Sequence, residues 1–150
     1  MIGSPCRRQP RAGGLKSSVG AADIDRLLDA KTVAVVGLSG DRSRDSHRIA
    51  VYLQEHGYRV VPVNPNETEV LGEKAYASIA DIPFDIDIID VFRSREFLKG
   101  HVEEALQKGA WGAWGQLGVA DTAAEKFAQQ AGLAFVMNRC IMVEHDRRRG

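Results

Sequence analysis

The sequence predicts an α/β protein built on a doubly wound, mainly parallel five-stranded sheet with helices on both faces. Short apolar segments without polar alternation recur along the chain, as expected of strands that are covered on both faces. Amphipathic segments of helical length separate most of them, which is the spacing that joins parallel strands through right-handed crossovers. Glycine or polar residues follow each of the first four strands. Together these features indicate a Rossmann-like domain.

The predicted elements alternate after a short amphipathic helix at residues 23–30. The predicted strands occupy residues 33–36, 58–63, 86–92, 110–114 and 133–137, and the later helices occupy residues 46–56, 96–108 and 122–131. The segment around Leu71 and Gly72 is expected to be an irregular crossover with one helical turn near residues 78–81. The expected strand order is 3-2-1-4-5, which places the ligand crevice between strands one and four.

The 150-residue chain has a formal net charge of zero, but its basic residues are concentrated at the two ends. Residues 1–20 have a composition typical of a disordered tail, and residues 147–150 are expected to form a basic C-terminal tail. Residues 21–146 are expected to form one domain. Residues 23–146 contain 13 basic and 20 acidic side chains. Such an acidic body argues against nucleic acid as a specific partner, because phosphate backbones need a basic face.

Cysteine content and hydropathy limit the expected compartment and the type of site. The two cysteines, Cys6 and Cys140, belong to no Cys/His cluster, so we expect neither a metal site nor a structural disulfide. The apolar runs are too short for a membrane span. The first 20 residues lack the continuous apolar region of a secretory signal. A cytoplasmic protein that does not contact membranes is therefore expected.

The loop after the first strand, residues 37–46, has the features of an anion-binding site. Gly37 and Gly40 let the backbone approach a ligand closely, and Ser46 is the expected N-cap of the next helix. The free N–H groups of that helix would point at a bound anion. A phosphate-bearing ligand is therefore expected at this turn. The ends of the next three strands complete the expected crevice with Asn64 and Pro65, Phe92 and Arg93, and Gln116 and Gly118.

Coenzyme A (CoA) fits these residues better than NAD(P). The loop reads GLSG, whereas a dinucleotide-binding turn reads GxGxxG. An NAD site also uses an acidic side chain after the second strand to hold the ribose hydroxyls, and that position is Asn64. The loop carries arginines, which suit a ligand with several phosphates such as the diphosphate and 3′-phosphate of CoA. These arginines are Arg42, Arg44 and Arg48.

Several short motifs give the chain a family resemblance. It resembles the small stand-alone CoA-binding proteins, which are similar to the CoA-binding domain of the succinyl-CoA synthetase α subunit. The resemblance covers about residues 23–145. One departure lies in the first loop, which is usually rich in proline and here contains Gly40, Asp41, Arg42 and Asp45. The matching motifs are VAVVGLS (33–39), RxS (44–46), EHGY (55–58), VVPVNP (60–65), LGEKAYAS (71–78), VFR (91–93), WGQLGV (114–119) and VMNRC (136–140).

The resemblance implies binding of CoA or an acyl-CoA at the carboxyl ends of the strands. Asn64 and Pro65 would lie along the adenosine, and Phe92 and Arg93 would flank the nucleotide. Gln116 and Gly118 would line the pantetheine side. The residues implied to meet the diphosphate are Gly37, Ser39, Arg42, Arg44 and Ser46.

No catalytic constellation emerges from the sequence, so a binding module without chemistry of its own is the favoured interpretation. The alternatives are an NAD(P)-dependent oxidoreductase and a CoA-binding subunit of an acyl-CoA ligase that needs another chain. A third alternative is a redox-regulatory protein in which Cys140 forms a mixed disulfide with CoA. The sequence is compatible with a protein partner or a homo-oligomer.

Overall fold

The computed structural model describes residues 21–150, so the predicted disordered tail lies outside the described residues. Five strands form one parallel sheet and two others form a separate hairpin. The α/β, Rossmann-like fold class is confirmed, and the predicted helices and sheet strands agree with the observed ones to within two residues. The strands are β1 (Thr32–Val36), β2 (Arg59–Val63), β3 (Glu69–Val70), β4 (Glu73–Lys74), β5 (Ile88–Val91), β6 (Gly112–Gly115) and β7 (Ala134–Val136).

The strand order in the sheet is β2-β1-β5-β6-β7, so the predicted order 3-2-1-4-5 is wrong. The third sheet strand, β5, pairs with β1 and not with β2. The outer edge of β2 is already used by the crossover that follows it. The Tyr76 N–H donates to the Pro62 carbonyl at 3.0 Å, and the Asn64 N–H donates to the Tyr76 carbonyl at 2.9 Å. The switch point, and with it the crevice, therefore lies between β1 and β5.

Helices cover both faces of the sheet and bury its apolar side chains in two layers. Sequence signals explain some of the helix ends. Asp121 caps α4 (Thr122–Ala131) by accepting the Ala124 N–H at 3.1 Å, and Gly109 and Gly132 end α3 (Leu98–Lys108) and α4 with positive φ. Among the helices of residues 21–150, none combines the length and hydropathy that a bilayer span requires. The helices are α1 (Ala21–Leu28), α2 (Asp45–Glu55), α3 (Leu98–Lys108), α4 (Thr122–Ala131) and α5 (Ile141–Arg149).

The crossover from β2 to β5 is more ordered than the sequence predicts. It contains the antiparallel β3–β4 hairpin, followed by a 3-10 turn at Ile79–Asp81. The hairpin turns at Leu71 and Gly72, which have φ of 54° and 78°. Two successive positive φ values match the two-residue turns that connect twisted strands. A leucine in this conformation is rare, which explains why this turn was expected to be irregular.

The C-terminal helix α5 is joined by ion pairs to the first helix of the described chain. Arg148 lies 3.1 Å from the Asp25 carboxylate, and Arg149 lies 2.8 Å from that of Asp29. Arg148 also contacts the buried Glu144. The three arginines expected in a basic tail therefore belong to the last turn of α5, where cations also interact favourably with the helix dipole.

Two aspartates, one in β5 and one directly before it, have opposite environments. Asp90, in β5, is completely buried, and within residues 21–150 neither of its carboxylate oxygens has a hydrogen-bond partner. Burial raises the pKa of Asp90 well above its ordinary value. Asp87 accepts the N–H groups of Lys31 and Thr32 at 2.8 and 3.0 Å. Burial alone would raise the pKa of Asp87, but these bonds outweigh it and lower that pKa.

Candidate ligand-binding site

A cavity of about 450 Å³ opens at the carboxyl ends of β1, β2 and β5. This size lies within the range of small-molecule sites, and its position follows the rule for open parallel sheets. The structure brings together here five of the eleven residues that the sequence singles out. These are Gly37, Asn64, Pro65, Phe92 and Arg93.

Gly37 is required by both its conformation and its surroundings. Its φ is 90°, a region that side chains with a Cβ rarely adopt. A Cβ at this position would lie 3.1 Å from Cγ of Arg93 and 3.3 Å from the carbonyl oxygen of Phe92. The Gly37 N–H donates to the Val63 carbonyl at 2.8 Å. The glycine therefore lets the ends of three strands approach one another at the cavity wall.

The side chain of Asn64 connects the end of β2 to the first loop. Its Nδ2 donates to the Leu38 carbonyl at 3.0 Å, and its Oδ1 accepts the Asn66 N–H at 2.9 Å. Both ends of the amide are thus engaged within the protein. Asn64 shapes the cavity rim, which an aspartate could not do in the same way because it has no N–H to donate.

The first loop is closed by two serine hydroxyls. Ser46 Oγ accepts the Ser39 N–H at 3.1 Å, and Ser39 Oγ accepts the Asp41 N–H at 3.0 Å. The expectation that Ser46 is a helix N-cap is wrong, because α2 begins at Asp45 and Arg44 occupies the N-cap position. Ser46 is buried in the first helical turn, and its hydroxyl bonds back to the loop in place of a cap. Neither serine lines the cavity.

Two of the loop arginines contact the loop's own acids. Arg44 lies 4.0 Å from Asp41, and Arg48 lies 2.8 Å from Asp45. The main-chain N–H and the hydroxyl of Ser43 both donate to Asp41, which lowers the pKa of that carboxyl. Arg42 and Arg44 are exposed and do not line the cavity. They remain available to an anion that approaches from solvent.

Gln116 and Gly118 lie outside the cavity wall because β5 separates their strand from β1. The buried Gln116 accepts the Ile141 N–H through Oε1 at 2.9 Å. The Gly118 N–H donates to Oδ1 of Asn138 at 2.8 Å. Both residues hold the loops that lead into α5. Cys140 packs beside the same helix and does not line the cavity either.

The far wall of the cavity comes from residues that the sequence did not single out. The guanidinium of Arg93 stacks over the Phe97 ring with 4.2 Å to its centroid. His101 Nδ1 lies 2.7 Å from Oε1 of Glu104. His101 and Glu104 are three residues apart in α3, a spacing that places both on one face of the helix. This spacing points to the cavity only when β5 is known to lie beside β1. These lining residues are Asn66, Ser78, Ser94, Phe97, His101 and Glu104.

One relative matches this chain over nearly its own full length, and another matches it over only a part of its length. Over 125 residues it is 40% identical to "Uncharacterized protein YneT" of Bacillus subtilis, with 83% of this chain and 93% of that protein covered. It is 29% identical to the alpha subunit of acetate–CoA ligase [ADP-forming] II of Pyrococcus furiosus, with 79% of this chain covered. The match spans only 28% of that ligase subunit.

A solved structure and a family model also match this chain. A hypothetical protein from Pyrococcus horikoshii OT3 superposes with a TM-score of 0.84 at 41% identity, covering 93% of this chain and all of that one. The model of a CoA binding domain matches residues 31–146, which include the loop, the cavity and α5 up to Asp146. The chain therefore belongs to the CoA binding domain family and is related to the CoA-binding region of acyl-CoA ligase subunits.

Proposed function

We propose that this protein binds CoA or an acyl-CoA in the cavity at the carboxyl ends of β1, β2 and β5. The observation that carries the proposal is the convergence of Gly37, Asn64 and Arg93 on one cavity of about 450 Å³. This volume suits the adenosine part of the ligand. The diphosphate would lie against the first loop, and the pantetheine would leave the cavity toward Gln116 and Gly118.

The charge around the cavity supports a phosphate-bearing ligand. Arg93 is held at the opening by its stacking on Phe97, and a guanidinium so placed can donate two hydrogen bonds to one phosphate. Arg42 and Arg44 provide further cations on the rim of the first loop. The position after β2 that holds an acid in NAD sites is Asn64, whose amide is engaged within the protein.

CoA should raise the melting temperature of the protein, whereas NAD(H) should leave it unchanged. A ligand at 100 times its Kd stabilises the folded state by about 2.7 kcal/mol. For a domain of this size that corresponds to a shift of about 5–10 °C. Differential scanning fluorimetry with each ligand at the same concentration measures the shift. Stabilisation by NAD(H) with no effect of CoA would overturn the proposal.

Arg93→Ala should weaken CoA binding by about tenfold, because it removes a charge-assisted contact to phosphate. Arg95→Ala is the matched control, since Arg95 is also exposed and lies two residues away, but does not line the cavity. Isothermal titration of both variants gives the affinities. Equal binding by Arg93→Ala and the unaltered protein would show that the ligand's phosphates are not held at this opening.

We propose binding without chemistry of its own as the primary role, in the cytoplasm, where the reducing environment would keep Cys140 as the thiol seen here. The match to an acetate–CoA ligase alpha subunit supports a second candidate. In that role, the protein would be the CoA-binding part of an acyl-CoA ligase whose remaining part is another chain. Both roles use the same cavity and the same contacts to CoA.

A further inference from the structure

Glu67 places a carboxylate on the loop that the proposed function assigns to the diphosphate. It directly follows the turn formed by Asn64, Pro65 and Asn66, and its own N–H donates to the Asn64 carbonyl at 3.2 Å. Oε2 of Glu67 accepts the Gly40 N–H at 2.8 Å. This contact joins the end of β2 to the middle of the first loop, 27 residues earlier in the chain.

The Gly40 N–H is the kind of donor that phosphate groups use in loops before helices. The Glu67 carboxylate fills the space beside it so closely that a Cβ on Gly40 would lie 3.0 Å from Oε1. A phosphate oxygen and this carboxylate oxygen cannot both accept a full hydrogen bond from the Gly40 N–H. The two groups would also repel each other, because both are negatively charged.

In the described part of the chain, residues 21–150, the carboxylate of Glu67 has no cationic side chain as an ion-pair partner. Within residues 21–150, no arginine, lysine or histidine nitrogen forms an ion pair with it inside 4.0 Å. By contrast, Asp41 and Asp45 in the same loop each contact an arginine. Among the described residues, the Glu67 charge therefore faces the loop without an ion-pair partner, in a position where it interacts with an anion that binds there.

We propose that Glu67 is an internal competitor for the diphosphate of CoA and so sets the selectivity of the loop, an inference that rests on the proposed function. A diphosphate can displace the carboxylate because it brings several acceptor oxygens and gains the rim arginines as partners. A ligand without phosphate at the loop leaves Glu67 on the Gly40 N–H. Glu67 thereby lowers the affinity for CoA selectively, through the part of the ligand that meets the loop.

Glu67→Gln should bind CoA about fivefold more tightly, since removing a half-buried like charge next to the ligand has an effect of this size. Glu69→Gln is the matched control. Glu69 is an exposed residue of β3, two residues after Glu67, and its replacement removes the same charge. Adenosine 3′-phosphate, which lacks the diphosphate, should bind the Glu67→Gln variant and the unaltered protein equally. Isothermal titration at one fixed ionic strength measures all the affinities.

The inference would be overturned if Glu67→Gln bound CoA no more tightly than the unaltered protein. Weaker binding would indicate that Glu67 supports the conformation of the loop. An equal gain in Glu69→Gln, or with adenosine 3′-phosphate, would show a general charge effect and overturn it too. Inorganic pyrophosphate separates the two proposals. If no variant binds CoA but pyrophosphate binds Glu67→Gln more tightly, the proposed function fails and the competition at Gly40 stands.

Discussion

Replacing Asp90 with asparagine should stabilise the protein at neutral pH, and the gain should grow as the pH rises from 3.8 toward the raised pKa of the folded state. The pKa of Asp90 is raised by burial in the folded state, whereas in the unfolded chain it has its ordinary value of 3.8. Between these two pKa values the folded state binds one proton more than the unfolded state. The free energy of unfolding therefore falls by about 1.4 kcal/mol for each pH unit in that window.

Asparagine removes this proton uptake and keeps the shape of the side chain. Below pH 3.8 the carboxyl is protonated in both states, so its pH-dependent cost is absent there. The neutral acid and the amide both leave polar atoms unpaired, so the two proteins should have similar stabilities at that end. Urea unfolding at a series of pH values from 4 to 8 measures the difference. Parallel stability curves for the two proteins would contradict the prediction.

Asp87→Asn is the matched control and should have the opposite sign. The pKa of Asp87 is lowered in the folded state, so its contribution is present above the unfolded pKa of 3.8 and is lost as the pH falls through the folded pKa. Losing charge-assisted bonds to the Lys31 and Thr32 N–H groups should cost about 1 kcal/mol at pH 7. The two aspartates thus separate the effect of burial from that of hydrogen bonding.

Gly37→Ala should reduce CoA affinity by more than about tenfold, because the added Cβ pushes on Arg93 and Phe92 at the cavity wall. It should also destabilise the fold. The positive φ costs about 1–2 kcal/mol for a residue with a Cβ, and crowding adds about 1 kcal/mol. Urea unfolding and isothermal titration measure the two effects on the same preparation.

Gly57→Ala isolates the conformational part of this effect. Gly57 has the same φ of 90°, but a Cβ there would meet no atom within 4 Å, and Gly57 lies outside the cavity. This variant should therefore lose about 1–2 kcal/mol of stability and bind CoA normally. Unchanged CoA affinity in Gly37→Ala would show that the close approach of the strand ends is not needed for the ligand.

Local pattern was sufficient to predict the helices and the five strands of the sheet, but not the β3–β4 hairpin or the arrangement of the strands. The apolar strands and the glycines that end α3 and α4 are signals that depend on a few neighbouring residues. The strand order depends on pairing between distant segments. One clue was present in β2, where Pro62 lacks an N–H and so favours an edge strand. The predicted order placed β2 in the interior of the sheet.

The error in strand order explains which part of the candidate site could be predicted. Gly37, Asn64 and Arg93 follow strands that are neighbours in the sheet, so their grouping at the cavity followed from the strand ends alone. Gln116 was included because its strand was expected beside β1. The α3 wall, with His101 and Glu104, was missed for the same reason. The ion pairs of the loop arginines depend on side-chain conformations, which spacing along the chain does not determine.

The two bonds of Tyr76 to the edge of β2 also occupy main-chain groups that a strand of another molecule could otherwise pair with. A sheet grows from one molecule into the next when an edge strand offers free main-chain donors and acceptors. Tyr76 occupies the Pro62 carbonyl and the Asn64 N–H at the carboxyl end of one edge. At the opposite edge, Asp23 of α1 accepts the Phe135 N–H of β7 at 3.4 Å. At these positions, both edges of the sheet therefore offer fewer free main-chain groups to a strand of another molecule.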